Sequence, residues 1–411
     1  MDLHYDIVII GGGPAGISAS VSASRLGANV LLIEKDGVLG GMSGAGMLNV
    51  WCGNAYSKIF EKVIKNTTKL MPSGRRIFAP EKVKAEYINL IEKYGVNVLL
   101  HSLVTDVSVK NGKIESVKIA TKSGYITVFG KIFIDCTGDG DIATMSNIPS
   151  EKGREDGLMQ PMTVEFMIGG VDSKNALFKE ARLDPILQAK MQECLSIGKV
   201  SRPVGAIILL EALEPNTAYC NMTNVIEVDG TNVFDLTKAE LQARKQIPEI
   251  INFLRENVKG YENCVALSSS SYVGVRETRR LKGKYTLTYQ DVQSGKKFED
   301  YIVDGANFCF DVHNPNGKVE DIESQPIETG NNYTIPYGCF VSEKIENLAF
   351  AGRCISGDHY AHSNYRVMPI CFAMGEGVGA MAYYSLKNSL NINNLSLEHI
   401  KQIQLLLKED F

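Results

Sequence analysis

The chain has 411 residues, a formal net charge of −4 and a charged fraction of 22%, and its length favours two or three domains. This charge balance, without a long basic run, argues against nucleic acid as a partner. No apolar run reaches the ~18 residues that a membrane helix needs, so no membrane segment is expected.

The beginning of the chain carries its strongest pattern. Tyr5–Ile10 is an apolar run of strand length, and a glycine-rich turn follows it. A run of small residues over Ile17–Leu26 predicts a helix, and Asn29–Ile33 predicts a second strand that ends on Glu34. The order strand, glycine turn, helix, strand and acid predicts the first βαβ unit of a parallel sheet.

The turn of this unit has the sequence G-x-G-x-x-G. Gly11 allows the tight turn, Gly13 lets a pyrophosphate approach the backbone, and Gly16 lets the helix pack close to the strand. The free N–H groups and the dipole at the start of the helix favour phosphate. Glu34 follows at about the distance expected for an acid that accepts ribose hydrogen bonds. The pattern therefore predicts a dinucleotide site; the alternative is a glycine-rich turn in an ordinary α/β domain.

The next stretches extend this sheet. The loop Gly40–Gly46 is too rich in glycine for a helix interior and is suited to lie against a flat ligand. Pro80–Tyr94 predicts an amphipathic helix that Gly95 ends, and Val96–Leu100 predicts a buried strand after it. A further strand and helix in this order favour a growing parallel sheet.

A hairpin and a second glycine turn follow. Lys113–Ala120 and Tyr125–Phe129 alternate in polarity on either side of a short turn, which predicts a β-hairpin. Ile132–Cys136 predicts a separate apolar strand that leads into the turn Thr137–Asp141. Ligands of open α/β sheets bind at the carboxyl ends of strands, so this turn is expected near the dinucleotide.

From about Ser150 the alternation of strand and helix stops. The following residues predict a separate mixed α+β domain, with Pro185 as a break and Pro248 inside a helix. The expected elements are strands at Met162–Ile168, Gly205–Leu210, Val265–Val275 and Tyr285–Tyr289 and helices at Lys174–Ile197 and Thr237–Val258.

The end of the chain returns to the first pattern. Leu348–Gly352 is a short apolar strand that ends in a glycine, and Met368–Asn388 predicts a helix of small residues. Gly375–Ala380 also fits G-x-G-x-x-A, but no strand precedes it, so tight helix packing is the preferred interpretation. We expect an α/β protein with a discontinuous Rossmann-like domain, residues 1–150 and 335–411, and an inserted α+β substrate or cap domain, residues 151–334.

Nine cysteines are scattered without a C-x-x-C pair. The sequence therefore does not support a dithiol redox centre, a zinc site or an iron–sulfur cluster. Several cysteines have apolar neighbours, which favours buried, reduced thiols in a cytoplasmic protein. Asp2 and Asp6 stand where a signal peptide would carry positive charge, so a cytoplasmic location is expected.

Taken together, the motifs resemble the FAD-dependent oxidoreductase family, which has a glutathione-reductase-like FAD fold and is distantly similar to fumarate reductase flavoproteins. The resemblance runs from end to end, although Ser173–Lys259 contributes little to it. It implies a cofactor and a fold, but no particular substrate. The motifs are Ile9–Gly16 with Glu34 and Lys35, Gly40-Gly41, Ile134–Asp141, Gly274–Arg280, Ile335–Tyr337, Ala351–Ser356 and Ala361–Pro369.

The resemblance implies that the dinucleotide is FAD. Glu34 would hold the adenosine ribose, Val104 would lie beside the adenine, and the last helix would point its N-terminus at the flavin. Asp358 departs from the family pattern, either facing the flavin or satisfying backbone donors. The residues implied to bind FAD are Gly11, Gly13, Pro14, Ala15, Gly16, Glu34, Lys35, Gly41, Met42, Val104, Thr137, Gly138, Gly352, Arg353, Arg366, Val367 and Met368.

Four residues are candidates for catalysis or substrate binding. His359 and His362 precede the last helix as general acid–base groups or substrate contacts, or else as structural histidines. Arg366 is a partner for the flavin carbonyl or a substrate carboxylate, with a plain salt bridge as the alternative. Arg276 is suited to bind an anionic substrate, with pairing to Glu277 as the alternative.

Other residues are weaker candidates. Arg279 and Arg280 lie in the same segment as Arg276, and alternation in a strand would place Arg276 and Arg280 on one face. His313 and Tyr337 are further candidates for the pocket. The only tryptophan, Trp51, follows the glycine-rich loop and is suited either to form a wall of the pocket or to pack in the core. No third ligand accompanies the histidines, so no metal site is expected.

The favoured function is transfer of a hydride between flavin N5 and a small polar organic substrate, with a carboxylated substrate as one form of this hypothesis. One alternative is a flavin-binding electron-transfer or sensor subunit that acts with a protein partner. Another is a thiazole synthase-like dinucleotide enzyme, which needs a sacrificial or metal-linked cysteine that the sequence does not single out. The direction of the reaction, the electron partner and the oligomeric state stay open.

Overall fold

The computed structural model describes residues 2–201, 206–315, 323–325 and 331–409. The helices are α1 (Pro14–Arg25), α2 (Lys58–Thr67), α3 (Pro80–Lys93), α4 (Asp141–Met145), α5 (Lys179–Leu183), α6 (Pro185–Ser196), α7 (Val233–Asn257), α8 (Tyr289–Gln293), α9 (His359–Tyr365), α10 (Met368–Lys387) and α11 (Leu397–Lys408). Among the described residues, no helix combines the length and the apolar character needed to cross a bilayer.

The strands are β1 (Asp2–Ile10), β2 (Val30–Ile33), β3 (Val50–Trp51), β4 (Thr68–Leu70), β5 (Arg76–Phe78), β6 (Asn97–Leu99), β7 (Leu103–Lys110), β8 (Lys113–Thr121), β9 (Gly124–Asp135), β10 (Ser150–Lys152), β11 (Phe166–Gly169), β12 (Leu209–Glu211), β13 (Thr217–Cys220), β14 (Val265–Ser269), β15 (Arg279–Leu281), β16 (Tyr301–Ala306), β17 (Phe310–Val312), β18 (Glu323–Gln325), β19 (Tyr333–Pro336) and β20 (Leu348–Phe350). The strands are short except for β1, β7, β8 and β9, which all belong to the main sheet.

The main sheet is mixed, with a parallel half that ends at the glycine turns. Its order is β6-β2-β1-β9-β8-β7, and β20 also pairs with β9. The pairs β6–β2, β2–β1, β1–β9 and β9–β20 are parallel, whereas β8 pairs with its neighbours in antiparallel fashion. The α/β fold with a Rossmann-like parallel sheet is therefore confirmed, and the carboxyl ends of β1, β9 and β20 lie side by side.

The strand β9 differs from the sequence-based prediction. The second strand of the hairpin and the central strand over 132–136 were expected to be separate, but they form one continuous strand. Its first half pairs with β8, and its last residues lie between Ile10 of β1 and Phe350 of β20 through Asp135. A single strand therefore belongs both to the hairpin and to the centre of the parallel sheet.

The helices α1 and α10 pack closely across one face of this sheet. A Cβ on Gly375 would lie 2.0 Å from Ala15 O, and a Cβ on Gly379 would lie 2.4 Å from Ala19 O. Ser22 Oγ also donates a hydrogen bond of 2.7 Å to the Glu376 carbonyl. The G-x-G-x-x-A sequence at Gly375–Ala380 therefore serves helix packing. The absence of a strand before it in the sequence predicted this role.

We expect Gly379→Ala to lower the free energy of unfolding by about 1–3 kcal/mol, because the added methyl group must push α1 and α10 apart. Lys387→Ala, at an exposed position of the same helix, is the control and should change that energy by less than about 0.5 kcal/mol. Urea unfolding followed by circular dichroism measures both changes. Equal stability of the two variants would contradict the close packing.

The middle of the chain forms a second sheet with its own apolar core. Its order is β12-β13-β11-β14, and α6 and α7 contribute side chains to the same core. The helix predicted over 174–197 is divided into α5 and α6 at Pro185, as expected, and Pro248 lies inside α7. Gly205 lies outside the described residues, and the strand predicted over 205–210 overlaps β12 only at Leu209 and Leu210.

Three predicted strands differ from the structure. Of the run 162–168 only β11 is a strand, because Met162 and Thr163 form isolated bridges to Val225 and Gly274 instead. The run 265–275 is a strand only at its start, as β14. The strand expected over 285–289 is wrong. Tyr285 N donates to Gly338 O, and Leu287 makes one isolated bridge, so these residues bind a turn rather than a neighbouring strand.

The apolar core of the main sheet extends beyond the predicted domain limits. It includes Leu281, Ile302, Val303 and Tyr333, which pack in the same cluster as Ile7. The sequence-based limit at residue 334 assigns the first four to the substrate or cap domain. Ile302 and Val303 join the core of the main sheet because β16, to which they belong, packs against α10 and α11.

Candidate active site

Three glycines of the G-x-G-x-x-G sequence after β1 have different surroundings. Gly11 has a φ of 101°, and a Cβ there would lie 2.3 Å from Cys136 O. A Cβ on Gly16 would lie 1.8 Å from Gly11 O, whereas a Cβ on Gly13 would meet no protein atom within 4 Å. The turn is thus closed at Gly11 and Gly16 and open above Gly13.

The open space lies at the start of α1. Gly13 is the N-cap of this helix, Pro14 follows it, and no side chain of the described residues caps its first N–H groups. Glu34 lies beside the turn, where its Oε2 accepts from Gly12 N at 2.5 Å and its Oε1 accepts from Asp36 N at 2.8 Å. Burial raises the pKa of Glu34.

The turn after β9 meets the turn after β20 through an ion pair. Arg353 Nη2 lies 2.5 Å from Asp139 Oδ1, and Arg353 Nη1 donates to Thr278 Oγ1 at 2.9 Å. Beneath them, buried Asp135 accepts from Thr137 Oγ1 at 2.7 Å, and burial raises its pKa to about 6. These contacts fix the turns at the same end of the sheet as the turn after β1.

A cavity of about 610 Å³ begins beside these turns. One end is lined by Met42 of the glycine-rich loop and by Val367 and Met368 at the start of α10. At that start too, no described side chain caps the helix. The charged and imidazole side chains that line the cavity are Arg75, Arg76, Arg182, Arg276, Arg353, Arg366, Glu165, Asp311 and His313.

Arg366 is held by Asp311 on β17. Its Nη2 donates to Asp311 O and to Asp311 Oδ2, each at 2.9 Å, and Asp311 Oδ2 lies 3.2 Å from His313 Nε2. Burial acts to raise the pKa of Asp311, but His313, Arg366 and Arg276 outweigh it and lower that pKa. Burial and then Arg276 lower the pKa of His313 to about 4, so at neutral pH a neutral imidazole faces a carboxylate.

The pKa of Arg276 is affected by the charges of both Arg366 and Glu165. Its Nη1 donates to Pro161 O at 2.7 Å and to Thr163 Oγ1 at 2.6 Å. Burial, followed by the charge of Arg366, lowers its pKa to about 10, so the guanidinium stays charged at neutral pH. The backbone and hydroxyl contacts orient this guanidinium without neutralising its charge.

Of the two acids of the cavity, Glu165 is the one whose pKa is raised. Its exposure is 1%, and its Oε2 has no hydrogen-bond partner in the described part of the chain. Burial raises its pKa to about 8, against the opposing effects of Arg276 and Asn221. At neutral pH this side chain is therefore mostly a neutral carboxylic acid.

Comparison with known proteins identifies the family of the chain. A model described as FAD dependent oxidoreductase matches residues 6–407 of the chain. The chain belongs to the FAD dependent oxidoreductase family. FAD is therefore the cofactor, and the chain is an enzyme of the oxidoreductase class.

Individual relatives of this FAD dependent oxidoreductase are distant. The mitochondrial dihydrolipoyl dehydrogenase of Dictyostelium discoideum is 23% identical over 363 residues, which are 87% of this chain and 66% of the relative. The thiamine thiazole synthase of Methanococcus aeolicus is 28% identical over 188 residues, 43% of this chain and 70% of the relative. A geranylgeranyl bacteriochlorophyll reductase-like structure from Thermoplasma acidophilum is 14% identical with a TM-score of 0.48 and covers 99% of this chain and 84% of its own. The chain spans 22% to 66% of the length of the dihydrolipoyl dehydrogenases that it matches.

The turns of this FAD dependent oxidoreductase fit a dinucleotide. The open space above Gly13 adjoins uncapped N–H groups of α1, and Gly352, with a φ of 99°, approaches the helix so closely that an added Cβ would lie 3.4 Å from the Ala15 Cβ. Gly41 approaches from the other side, since a Cβ there would lie 3.3 Å from Gly13 Cα. Three backbone segments therefore converge without side chains where a pyrophosphate needs room.

The four candidate catalytic residues fall into two groups. Arg276 and Arg366 line the cavity, whereas His359 and His362 do not. His359 Nδ1 lies 2.8 Å from Glu277 Oε1, which also accepts from Arg280 Nη1 at 2.6 Å. His359 therefore belongs to a buried network with Glu277 and Arg280, and His362 is buried as well.

Both histidines retain nitrogen atoms without a partner among the described residues: one in His359 and both in His362. Burial, and then the charge of Arg280, lowers the pKa of His362. Asp358 caps α9 by accepting from Ala361 N at 2.7 Å, and it accepts from Tyr289 N at 2.6 Å. Asp358 thus satisfies backbone donors, the second of the two roles considered for it.

The weaker candidates are also separated. Trp51 lines the cavity and stacks on Phe78 at 4.1 Å between ring centroids, so it serves both wall and core. Tyr337 donates to Ile392 O in the core. Arg279 pairs with Asp141 at 2.8 Å, while Arg280 points to Glu277 and not to the side of Arg276.

Glu165 and Asp311 were not among the site residues predicted from the sequence. Glu165 stands alone as a charged residue in an apolar run, and an isolated charge in a predicted buried strand is a usable signal. Asp311 lies two residues before His313, but only the fold brings Arg366 against both of them. Glu165 was detectable in the sequence, whereas the role of Asp311 depends on tertiary contacts.

Proposed function

We propose that this FAD dependent oxidoreductase moves a hydride between N5 of the flavin and a small polar substrate that carries a carboxylate. The observation that carries the proposal is the arginine-rich cavity that opens beside Val367 and Met368. Six arginines line it against two carboxyl groups, Glu165 and Asp311, so an anion is favoured there. When bound, FAD supplies the acceptor or donor of the hydride.

In this proposal Arg276 and Arg366 bind the substrate carboxylate. Contacts with Pro161 and Thr163 orient the first guanidinium, and Asp311 orients the second. Both guanidinium groups line the cavity, where a substrate carboxylate can accept charge-assisted hydrogen bonds from them. The two arginines thus fix the position of the anionic end of the substrate.

We also propose which residues contact FAD and which parts of the chain bind FAD and substrate. Residues 1–150 and 335–411 hold FAD, and residues 151–334 form the substrate side together with them, since both parts line the cavity. His359 and His362 support the segment before α10 rather than contact substrate. The proposed FAD contacts are Gly11, Gly13, Pro14, Ala15, Gly16, Glu34, Lys35, Gly41, Met42, Val104, Thr137, Gly138, Gly352, Arg353, Arg366, Val367 and Met368. A cytoplasmic location stays a prediction.

The alternatives make different use of the same cavity. A thiazole synthase-like reaction needs a reactive cysteine, and Cys52 does line the cavity. Burial raises the pKa of Cys52 to about 12, which keeps the thiol protonated and weakens it as a nucleophile. An electron-transfer or sensor subunit would need a protein partner instead of a small anion.

We expect the purified protein to be yellow, to release FAD on denaturation and to change its flavin absorbance when malonate or succinate is added. Bleaching of the flavin by a member of a hydroxy-acid and amino-acid panel under anaerobic conditions, or reoxidation of the reduced flavin by an oxo acid or unsaturated acid, would identify the reaction. A flavin that responds to none of these small acids and only to a partner protein would contradict the proposal and favour the subunit.

A further inference from the structure

The cavity contains an acid, Glu165, that has no role in binding an anion. Glu165 precedes β11, and its backbone is fixed because Glu165 O accepts from Ser270 N at 2.8 Å. Its side chain lines the cavity opposite no basic partner at hydrogen-bond distance, and its Oε2 is left without a partner in the part of the chain that the structure describes. The carboxyl group therefore lies in the cavity wall, almost fully shielded from water, with one oxygen that lacks a partner.

The groups around Glu165 come from several elements. Arg276 approaches from the segment after β14, Asn221 and Cys220 from the end of β13, and Asp311 and His313 belong to the β17 side of the same cavity. Arg276 and Asn221 favour the carboxylate, but burial outweighs both. His313 has a pKa of about 4, far from that of Glu165. Two titratable groups of one cavity are thus pushed in opposite directions, a pattern found in acid–base sites.

We propose that Glu165 is the proton donor of this cavity and delivers its proton to the bound anionic substrate. This inference rests on the proposed function, because it requires a carboxylate bound by Arg276 and Arg366. Glu165 stays uncharged next to that anion and therefore does not repel it. A general acid must border the substrate site and carry a proton near neutral pH, and Glu165 meets both conditions.

The proposed reaction is the reduction of a double bond in the substrate. The O–H bond of Glu165 breaks, and its proton forms a new bond to one atom of the double bond. The other atom takes the hydride from reduced FAD, which is the reductant and is oxidised. Glu165 is left as a carboxylate, and a proton from the solvent, relayed by water that enters the cavity, restores the acid.

The first test measures the proton without turnover. Infrared difference spectra between FAD-loaded wild-type protein and Glu165→Gln should show the carbonyl band of a protonated carboxylic acid at pH 6, which disappears with a midpoint near pH 8. The control is Glu211→Gln. Glu211 is a buried carboxylate outside the cavity lining that pairs with Arg75 and accepts from Ser73. A band that is absent at pH 6 would overturn the proposal.

The second test links the proton to ligand binding. Succinate, titrated by the flavin absorbance, should bind up to about tenfold more weakly for each pH unit above 8, because ionised Glu165 repels it. In Glu165→Gln this dependence should vanish, while Glu211→Gln should keep it. An unchanged pH dependence in Glu165→Gln would overturn the proposal.

The third test concerns the transfer itself. Protein reduced with dithionite is mixed with the members of the unsaturated and oxo acid panel, and Glu165→Gln should slow flavin reoxidation by about 10²–10⁴-fold with little change in ligand affinity. Equal rates in both proteins would exclude Glu165 as the donor. If wild-type protein shows the infrared band but binds no carboxylate, the proposed function fails while the protonation of Glu165 stands, so the two failures are distinguishable.

Discussion

Gly16→Ala is expected to give protein without bound FAD and with a lower free energy of unfolding, whereas Gly13→Ala is expected to lose FAD affinity alone. A Cβ at position 16 would lie 1.8 Å from Gly11 O, and Gly11 is itself confined by Cys136 O. The turn therefore has no room to yield. A Cβ at position 13 meets no protein atom within 4 Å, so folding is unaffected, but it enters the space left for the pyrophosphate.

The size of the Gly13 effect follows from the contacts that a phosphate makes with the backbone. Each charge-assisted hydrogen bond lost costs about 1.5–3 kcal/mol, so FAD should dissociate roughly 10–100-fold more readily for each such bond. Fluorescence titration of stripped protein with FAD measures the affinity, and urea unfolding of the same stripped protein measures stability. Parent-like FAD affinity in Gly13→Ala would show that the dinucleotide does not approach this turn.

The second large effect is expected at Arg276. Arg276→Met should weaken succinate binding by roughly 10–100-fold, since a charge-assisted hydrogen bond is worth about 1.5–3 kcal/mol. It should also raise the pKa of Glu165, because Arg276 favours the carboxylate form of that acid. Arg276→Lys should recover only part of the affinity, since a point charge does not reproduce the guanidinium fork.

Arg279→Met is the matched control for Arg276→Met. Arg279 belongs to the same segment but pairs with Asp141 outside the cavity lining. It should leave the succinate affinity and the infrared midpoint of Glu165 unchanged. If Arg276→Met and Arg279→Met bind succinate equally well, the anion is not held by the cavity arginines.

Local patterns were enough to predict the first βαβ unit. Its strand, its glycine turn and Glu34 are adjacent in sequence, and each has a conformational reason that does not depend on distant residues. The break at Pro185 was predictable for the same reason, because proline removes a donor and fixes φ. Features of this kind are set within a few residues.

The features that the sequence did not reveal depend on distant partners. The continuity of β9 follows from pairing with β1 and β20, which lie far away along the chain. His359 and His362 were expected in the pocket because they precede α10, but His359 contacts buried Glu277 and neither histidine lines the cavity. Conversely, the pKa of Glu165 is raised by burial, and burial is known only once the fold is complete.

The pairing of β20 with β9 and of α10 with α1 has a consequence for biosynthesis. A ribosome adds roughly 5–20 residues per second, so β1 waits roughly 20–70 s before β20 leaves the ribosome. Until then α1 lacks the helix that covers Ala15 and Ala19, and its apolar surface is open to chaperones. The glycine turn is among the first segments to be synthesised, yet it becomes able to hold a dinucleotide only when synthesis is nearly finished.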